Sequence, residues 1–398
     1  MNDAVTRQVD APIHNCIKVF VLLAHGFGGD RWNQSRAKGA TTGIEDDSPY
    51  GYGLAEDDTC IVRFSADRTE NGLGRFLRLC LRRTLGFDAI HAWYNREQLC
   101  SADAVWTHTE LEHLAVLLIW RFKQPKQRPK LIAQSVWMYD RWWELSSLKR
   151  WLFRRLLDKA DLLTVLSTEN LKVARELFPR KHVEFIPFGI NSKQVVPASR
   201  RKANRPLHVL ALGRDMHRDW NTLIAALGSW SEVVIKIAAP RINRRLLRAD
   251  NVTLEAPVHG LAIRELYQWA DIVLVPLKPN LHASGITVLA EAALFGVPTI
   301  CSDTGGLRAY FSDEQVCYVP TGDVLGLRKA VFELASDDER RFSLAVKAQQ
   351  RVLSGELNSR AYALRHRALT QQLIADDVTR RSIKIFAHAN GPVRQRTT

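Results

Sequence analysis

Three short segments hold the residue types that grip a phosphorylated ligand. The first is His25-Gly26-Phe27-Gly28-Gly29-Asp30, in which Gly28 and Gly29 would let backbone N–H groups come close to a phosphate. Position 31 is Arg, so the G-x-G-x-x-G pattern is incomplete and a nicotinamide dinucleotide reading is disfavoured. The second is Gly213-Arg214-Asp215-Met216-His217-Arg218. Guanidinium groups at a strand-to-helix junction can hold a diphosphate through paired hydrogen bonds, so Arg214 and Arg218 are candidates; a surface turn with incidental arginines is the alternative. The third is Ser284-Gly285-Ile286-Thr287, which would open a helix and offer free N–H groups to an anion. Glu291 follows one to two turns later among Leu, Ala and Val. A carboxylate there is costly to bury unless something pairs with it, and ribose hydroxyls would do so.

These segments need strands to aim them. Short β-branched runs alternate with helical patterns, the signature of parallel sheets wrapped by helices. Strands are expected at 17–23, 60–64, 89–92, 104–106, 131–134, 162–166 and 183–186, with helices at 73–85, 111–120, 148–157 and 169–177. A polar stretch at 191–206 without apolar period reads as a linker. A second alternation gives strands at 209–212, 233–238, 252–255, 272–275, 299–301 and 317–319, then long charged helices over 338–378 and a basic, frayed end. The expectation is α/β, with two doubly wound domains; such sheets bind ligands at the carboxyl ends of their strands. Residues 31–58, rich in glycine, read as a long loop that is either a lid or acceptor element or a plain insertion.

Arg214, Arg218, residues 284–291, Gly296-Val297-Pro298 and Thr304-Gly305-Gly306-Leu307, in this order, resemble the nucleotide-sugar half of GT-B glycosyltransferases of the family 4 type. Segments 161–167 and 186–190 are similar to the stretch leading into that family's linker, and Gly322-Asp323 also matches. The likeness covers roughly 155–355 well and 1–150 in layout only. It implies a GT-B arrangement of two Rossmann-like domains facing a central cleft. The divisions are an acceptor domain at 1–190, a linker at 191–206, a nucleotide-sugar domain at 207–355, a helix at 356–380 crossing back, and a basic tail at 381–398.

The resemblance also assigns roles. Arg214 and Arg218 would meet the donor diphosphate, Gly285, Ile286 and Thr287 would form the helix start beside diphosphate and sugar, and Glu291 would hold the ribose. The family's first motif glutamate would fall at Ala283, with His282 or Ser284 as substitute polar contacts. Its catalytic-loop histidine would fall near Ser135 and Val136, where none is present, so His108 and Asp140 are the catalytic candidates. No cofactor and no metal site are expected. The donor would be a UDP- or GDP-linked sugar, its leaving diphosphate stabilised by arginines and helix N-termini.

Composition narrows the partners. The 398 residues carry a net charge of +14 and are 46% hydrophobic, as in ordinary globular proteins. Six cysteines lack paired spacing, which disfavours a zinc site or disulfide framework and suits a reduced cytoplasm. Residues 121–159 hold eleven Lys or Arg against three acids, and eight of eleven tryptophans precede residue 152. Arginines alternate with apolar residues over 73–85 and 149–157. Such segments suit docking to an anionic membrane surface, the inner leaflet, where a glycan or lipid-linked acceptor would be met. The rivals are an inverting GT-B transferase or sugar-nucleotide epimerase, and a nucleic-acid-binding protein. No nucleic acid is expected, because helix-turn-helix, zinc and RRM signatures are all missing.

Overall fold

A computed structural model describes residues 16–37, 46–191, 195–240, 242, 243, 246, 248–255 and 261–389. The first sheet is wholly parallel, in the order β2-β1-β3-β4-β5-β6. Its strands are β1 (Ile17–Leu22), β2 (Cys60–Phe64), β3 (Ala104–Thr107), β4 (Lys130–Ser135), β5 (Leu162–Val165) and β6 (Val183–Phe185). The second sheet, also parallel, runs β12-β11-β10-β7-β8-β9. It comprises β7 (Leu207–Leu212), β8 (Val233–Ala238), β9 (Val252–Glu255), β10 (Ile272–Val275), β11 (Thr299–Ser302) and β12 (Cys317–Val319). Every residue of β3, β5, β10 and β11 is buried. That is why these strands show no apolar–polar alternation, their polar members being only the small Thr107, Thr164, Thr299 and Ser302.

The crossover helices of the first domain are α1 (Gly29–Ala37), α2 (Gly72–Leu85), α3 (Ala89–Tyr94), α4 (Arg96–Ser101), α5 (Glu110–Lys123), α6 (Ser147–Leu157) and α7 (Thr168–Leu177). Those of the second are α8 (Trp220–Leu227), α9 (Leu261–Trp269), α10 (Ile286–Leu294), α11 (Val324–Ser336) and α12 (Asp338–Leu353), followed by α13 (Ser359–Ala389). One expected strand is a helix. Residues 89–92 begin α3, because the Asp88 side chain accepts the His91 N–H at 3.1 Å and caps a turn. Four residues are too few for periodicity to separate the two states. The stretch 31–58 also holds more structure than expected, with α1 in its first part and 3₁₀ turns at Pro49–Ala55; residues 38–45 lie outside the described residues.

Helix α13 returns to the first domain. Trp106 Nε1 donates to Thr370 Oγ1 at 2.8 Å, Ser359 Oγ to Asp46 Oδ2 at 2.6 Å, and Lys130 pairs with Asp377 at 3.1 Å. Further ties join the domains directly: Tyr310 Oη donates to Leu166 O at 2.6 Å, and the Leu281 N–H to Asp140 Oδ1 at 2.7 Å. Much of the basic tail, residues 390–398, lies outside the described residues.

Candidate active site

Between the carboxyl ends of the two sheets lies a cavity of about 570 Å³ whose lining comes from both domains. Its second-domain wall is built by the turn after β7 and by the start of α10. Gly285 sits at φ +94° as the cap of α10, a conformation that favours glycine, and a Cβ there would stand 2.7 Å from Val275. The Ser284 N–H donates to Asn280 Oδ1 and the Ile286 N–H to Ala283 O, each at 3.2 Å, so the N–H groups of Thr287 and Val288 are the ones this helix start leaves for the cavity among the described residues. Arg218 is buried against them. Its Nε donates to Leu212 O at 2.9 Å and its Nη1 to Ser284 Oγ at 3.0 Å. Gly213 has to be glycine, since a Cβ would collide with the Arg218 guanidinium. Arg214 is exposed at the same rim.

Glu291 lines the cavity one and a half turns along α10. Tyr267 of α9 donates to its Oε2 at 2.6 Å, leaving Oε1 for a ligand. Burial raises its pKa to about 7, against the pull of the Tyr267 hydrogen bond and the nearby Arg218 charge. From Gly285 to Glu291 the helix rises about 9 Å. An anion site and a carboxylate acceptor are thus set along one wall.

The opposite wall carries His108, stacked on Tyr50 with ring centroids 3.7 Å apart. Its protonation follows from a chain of hydrogen bonds. Tyr362 Oη donates to Gln134 Oε1 at 2.6 Å, so the 2.8 Å contact between the two tyrosines needs the proton of Tyr52. The 3.2 Å contact from Tyr52 Oη to His108 Nδ1 then puts a proton on Nδ1, and the Gln134 amide nitrogen, 3.4 Å from Nδ1, directs its hydrogen to the closer backbone oxygen instead. Gln134 Nε2 closes the ring on His108 O at 2.9 Å. Nε2 of His108 is left with its lone pair, and no hydrogen bond to it is found among the described residues. Burial, reinforced by His366, lowers the His108 pKa to about 3, so the ring stays neutral. It is suited to accepting a hydrogen bond from a hydroxyl more than to removing a proton.

Residues 208–368 match a family described as glycosyl transferase-like. The structure is also similar to a sucrose-phosphate synthase from Thermosynechococcus elongatus, at TM-score 0.65 and 17% identity over 90% of this chain and 100% of that one. HepE of Anabaena in complex with UDP gives 0.62 and 14%, over 89% and 99% of the two chains. The same protein with UDP-glucose gives 0.60 and 13%, over 91% and 99%. No curated protein matches the sequence. The chain has the fold of the GT-B glycosyltransferases.

Within this GT-B frame the sequence candidates divide. Arg214, Arg218, Ser284, Gly285, Ile286, Thr287, Glu291 and His108 all line the one cavity. Gly28 and Gly29 do not. The N–H of Gly28 donates to Asp67 Oδ2 at 3.0 Å and that of Gly29 to Ser65 O at 3.2 Å, so neither is free for a phosphate. Asp140, the other catalytic candidate, does not line this cavity. Its Oδ1 accepts the Leu281 N–H and faces His282 Nδ1 at 3.1 Å, and it lines a neighbouring cavity at the domain seam.

Several contributors carried no sequence signal. Tyr267 meets Glu291 across 24 positions of chain, and Tyr362 meets Tyr52 across 310. Glu110 Oε2 accepts the N–H groups of Val136 at 3.1 Å and Trp137 at 3.3 Å, fixing the loop after β4 where the family histidine would stand. Asp215, inside a segment chosen for its arginines, accepts from Ser284 Oγ at 2.9 Å and from His282 Nε2 at 2.8 Å. Burial by itself would lower the His282 pKa, but Asp140 and Asp215 outweigh it and raise it to about 9.

Proposed function

We propose that this protein transfers a glycosyl group from a nucleoside diphosphate sugar to a glycan or lipid-linked acceptor. One observation carries the reading: Arg218, the open N-terminus of α10 and Glu291 share one wall of the interdomain cavity. Arg218 and the α10 N–H groups meet the diphosphate, and Glu291 accepts from the ribose hydroxyls. Charge builds on the leaving diphosphate as the glycosidic bond breaks, and donors already aimed there lower the barrier without reorganising. Arg214 adds charge at the rim. His108 accepts a hydroxyl of the donor sugar through its bare Nε2, while the first domain holds the acceptor. The solved complexes of HepE with UDP and UDP-glucose support a nucleotide sugar as donor.

The acceptor reading rests on the surface. Leu73, Phe76 and Leu77 of α2 are exposed beside Arg75, and Leu148 and Trp151 of α6 beside Arg154 and Arg155. The two helices meet where Lys149 Nζ donates to Arg83 O at 3.2 Å, so their faces join. Three residues of these stretches point elsewhere. Arg78 is buried between Glu70 and Asp88, Phe153 lies in the core, and Arg82 faces the cleft. Among the described residues no helix is long and apolar enough to cross a membrane. The remaining face suits peripheral docking on the anionic inner leaflet. A calorimetric titration with UDP, GDP, dTDP and ADP tests the donor reading: one should bind the wild type and bind Glu291→Ala at least tenfold more weakly. No binding by any of them would remove the proposal.

A further inference from the structure

Beside the donor cavity, at the seam of the two domains, Asp140, His217 and His282 bring one donor atom each to within 4.8 Å of one another. Their orientation is imposed by a fourth residue. Asp215 Oδ1 faces Nδ1 of His217 at 3.1 Å and its Oδ2 faces Nε2 of His282 at 2.8 Å. Asp215 takes one N–H of each ring, which leaves Nε2 of His217 with its lone pair and Nδ1 of His282 sharing its proton with Asp140. Nδ1 of His282 lies 3.1 Å from Asp140 Oδ1. The other oxygen, Asp140 Oδ2, is buried with no hydrogen-bond partner among the described residues. An orphaned carboxylate oxygen is costly in such a place.

We propose that Asp140, His217 and His282 form a binding site for a divalent transition metal of the zinc class, with Asp215 as the outer carboxylate that orients both histidines. Two imidazoles and a carboxylate are a suitable ligand set for such an ion, and a carboxylate on the far nitrogen of each ligating histidine is its usual support. The metal displaces the proton shared by His282 and Asp140, which is released to solvent. A shell of about 2.0–2.1 Å bonds draws the donors inward, and the half-buried His217 can rotate to supply this. Asp140 and His217 also line a cavity of about 710 Å³, so a coordination position stays open to it. Asp140 belongs to the first domain and the two histidines to the second, so the ion ties the domains together. This site stands or falls separately from the donor assignment, because its readout is metal content.

The test uses full-length protein stripped with a chelator and dialysed. Zn2+ affinity is measured by competition with a chromophoric chelator, and Co2+ loading by its visible absorption. The wild type should take up one equivalent of either ion, with tetrahedral or five-coordinate cobalt bands and a raised melting temperature. His217→Ala, in an accessible turn, and Asp140→Asn should lose that equivalent while keeping the wild-type circular dichroism. Asp215→Asn should weaken Zn2+ binding by about 10- to 100-fold, because it removes only the outer support. Absence of a bound equivalent in the wild type would overturn the proposal. So would uptake unchanged in His217→Ala and Asp140→Asn, which would place the metal elsewhere.

Discussion

Glu291→Gln removes the negative charge of the proposed ribose site while keeping its shape and one acceptor oxygen for Tyr267. Hydrogen bonds to a charged acceptor contribute about 1.5–3 kcal/mol each, against about 0.5–1.5 for neutral ones. With two ribose hydroxyls donating, nucleotide affinity should fall by about 2–3 kcal/mol, roughly 30- to 150-fold. Proton linkage sharpens the expectation. Burial lifts the Glu291 pKa from 4.5 to about 7, with Tyr267 and Arg218 facing the carboxyl and opposing that rise. The folded state therefore binds the proton more tightly than the unfolded chain does. Its stabilising effect is full below pH 4.5 and is lost as the pH rises through 7, a total of about 3 kcal/mol at about 1.4 kcal/mol per tenfold in proton affinity. Nucleotide binding has the opposite slope, because ribose hydroxyls favour the ionised carboxylate. Affinity should be level above pH 7 and weaken by up to tenfold per pH unit below it. Isothermal titration from pH 5.5 to 8.5, beside chemical denaturation of the free protein, reads both slopes. Glu291→Gln should flatten each of them. A variant with wild-type affinity and an unchanged pH profile would show that the ribose does not sit on Glu291.

Arg218→Ala should lower kcat/KM for the sugar nucleotide by about 10²- to 10³-fold, the usual cost of a donor aimed at developing charge, with nucleoside binding nearly unchanged. Arg214→Ala should act in the same direction but less, since that side chain is exposed, and equal losses for nucleoside and nucleoside diphosphate would refute both roles. Nitrogen-15 spectra should show His108 with a protonated Nδ1 and a bare Nε2 at neutral pH. Tyr52→Phe should mix the tautomers and raise KM for the donor, whereas a protonated Nε2 in the wild type would refute the hydrogen-bond chain. The protein should sediment with anionic vesicles and stay free of neutral ones. Reversing Arg75, Arg83, Arg154 and Arg155 to Glu should abolish this, since each basic residue near the surface contributes about 1 kcal/mol. Preference for duplex DNA over vesicles in direct competition would defeat the docking face.

What the sequence revealed depended on the range over which each residue acts. The central strand β10 is buried on both faces, so its four consecutive apolar residues, Ile272 to Val275, sufficed to place it. Glu291 was legible for a related reason. A carboxylate set among Leu, Ala and Val contradicts its own neighbours, and only a specific partner resolves the conflict. Glycines were less informative. A glycine reports that backbone comes close to something, and at Gly28 that something is Ser65 O and the Asp67 carboxylate rather than a phosphate. The same limit applies to Arg78, which has the spacing of a surface arginine in 73–85. Its place is set by Glu70 and Asp88, whose carboxylates take its guanidinium at 2.7 and 2.6 Å. His108 marks the far end of this scale. Its neutrality comes from burial reinforced by His366 and its tautomer from Tyr52, Gln134 and Tyr362; His366 and Tyr362 are both delivered by a helix that begins more than 250 residues later. Local pattern placed the histidine at a strand end, but its chemistry is decided by α13 crossing back over the first domain.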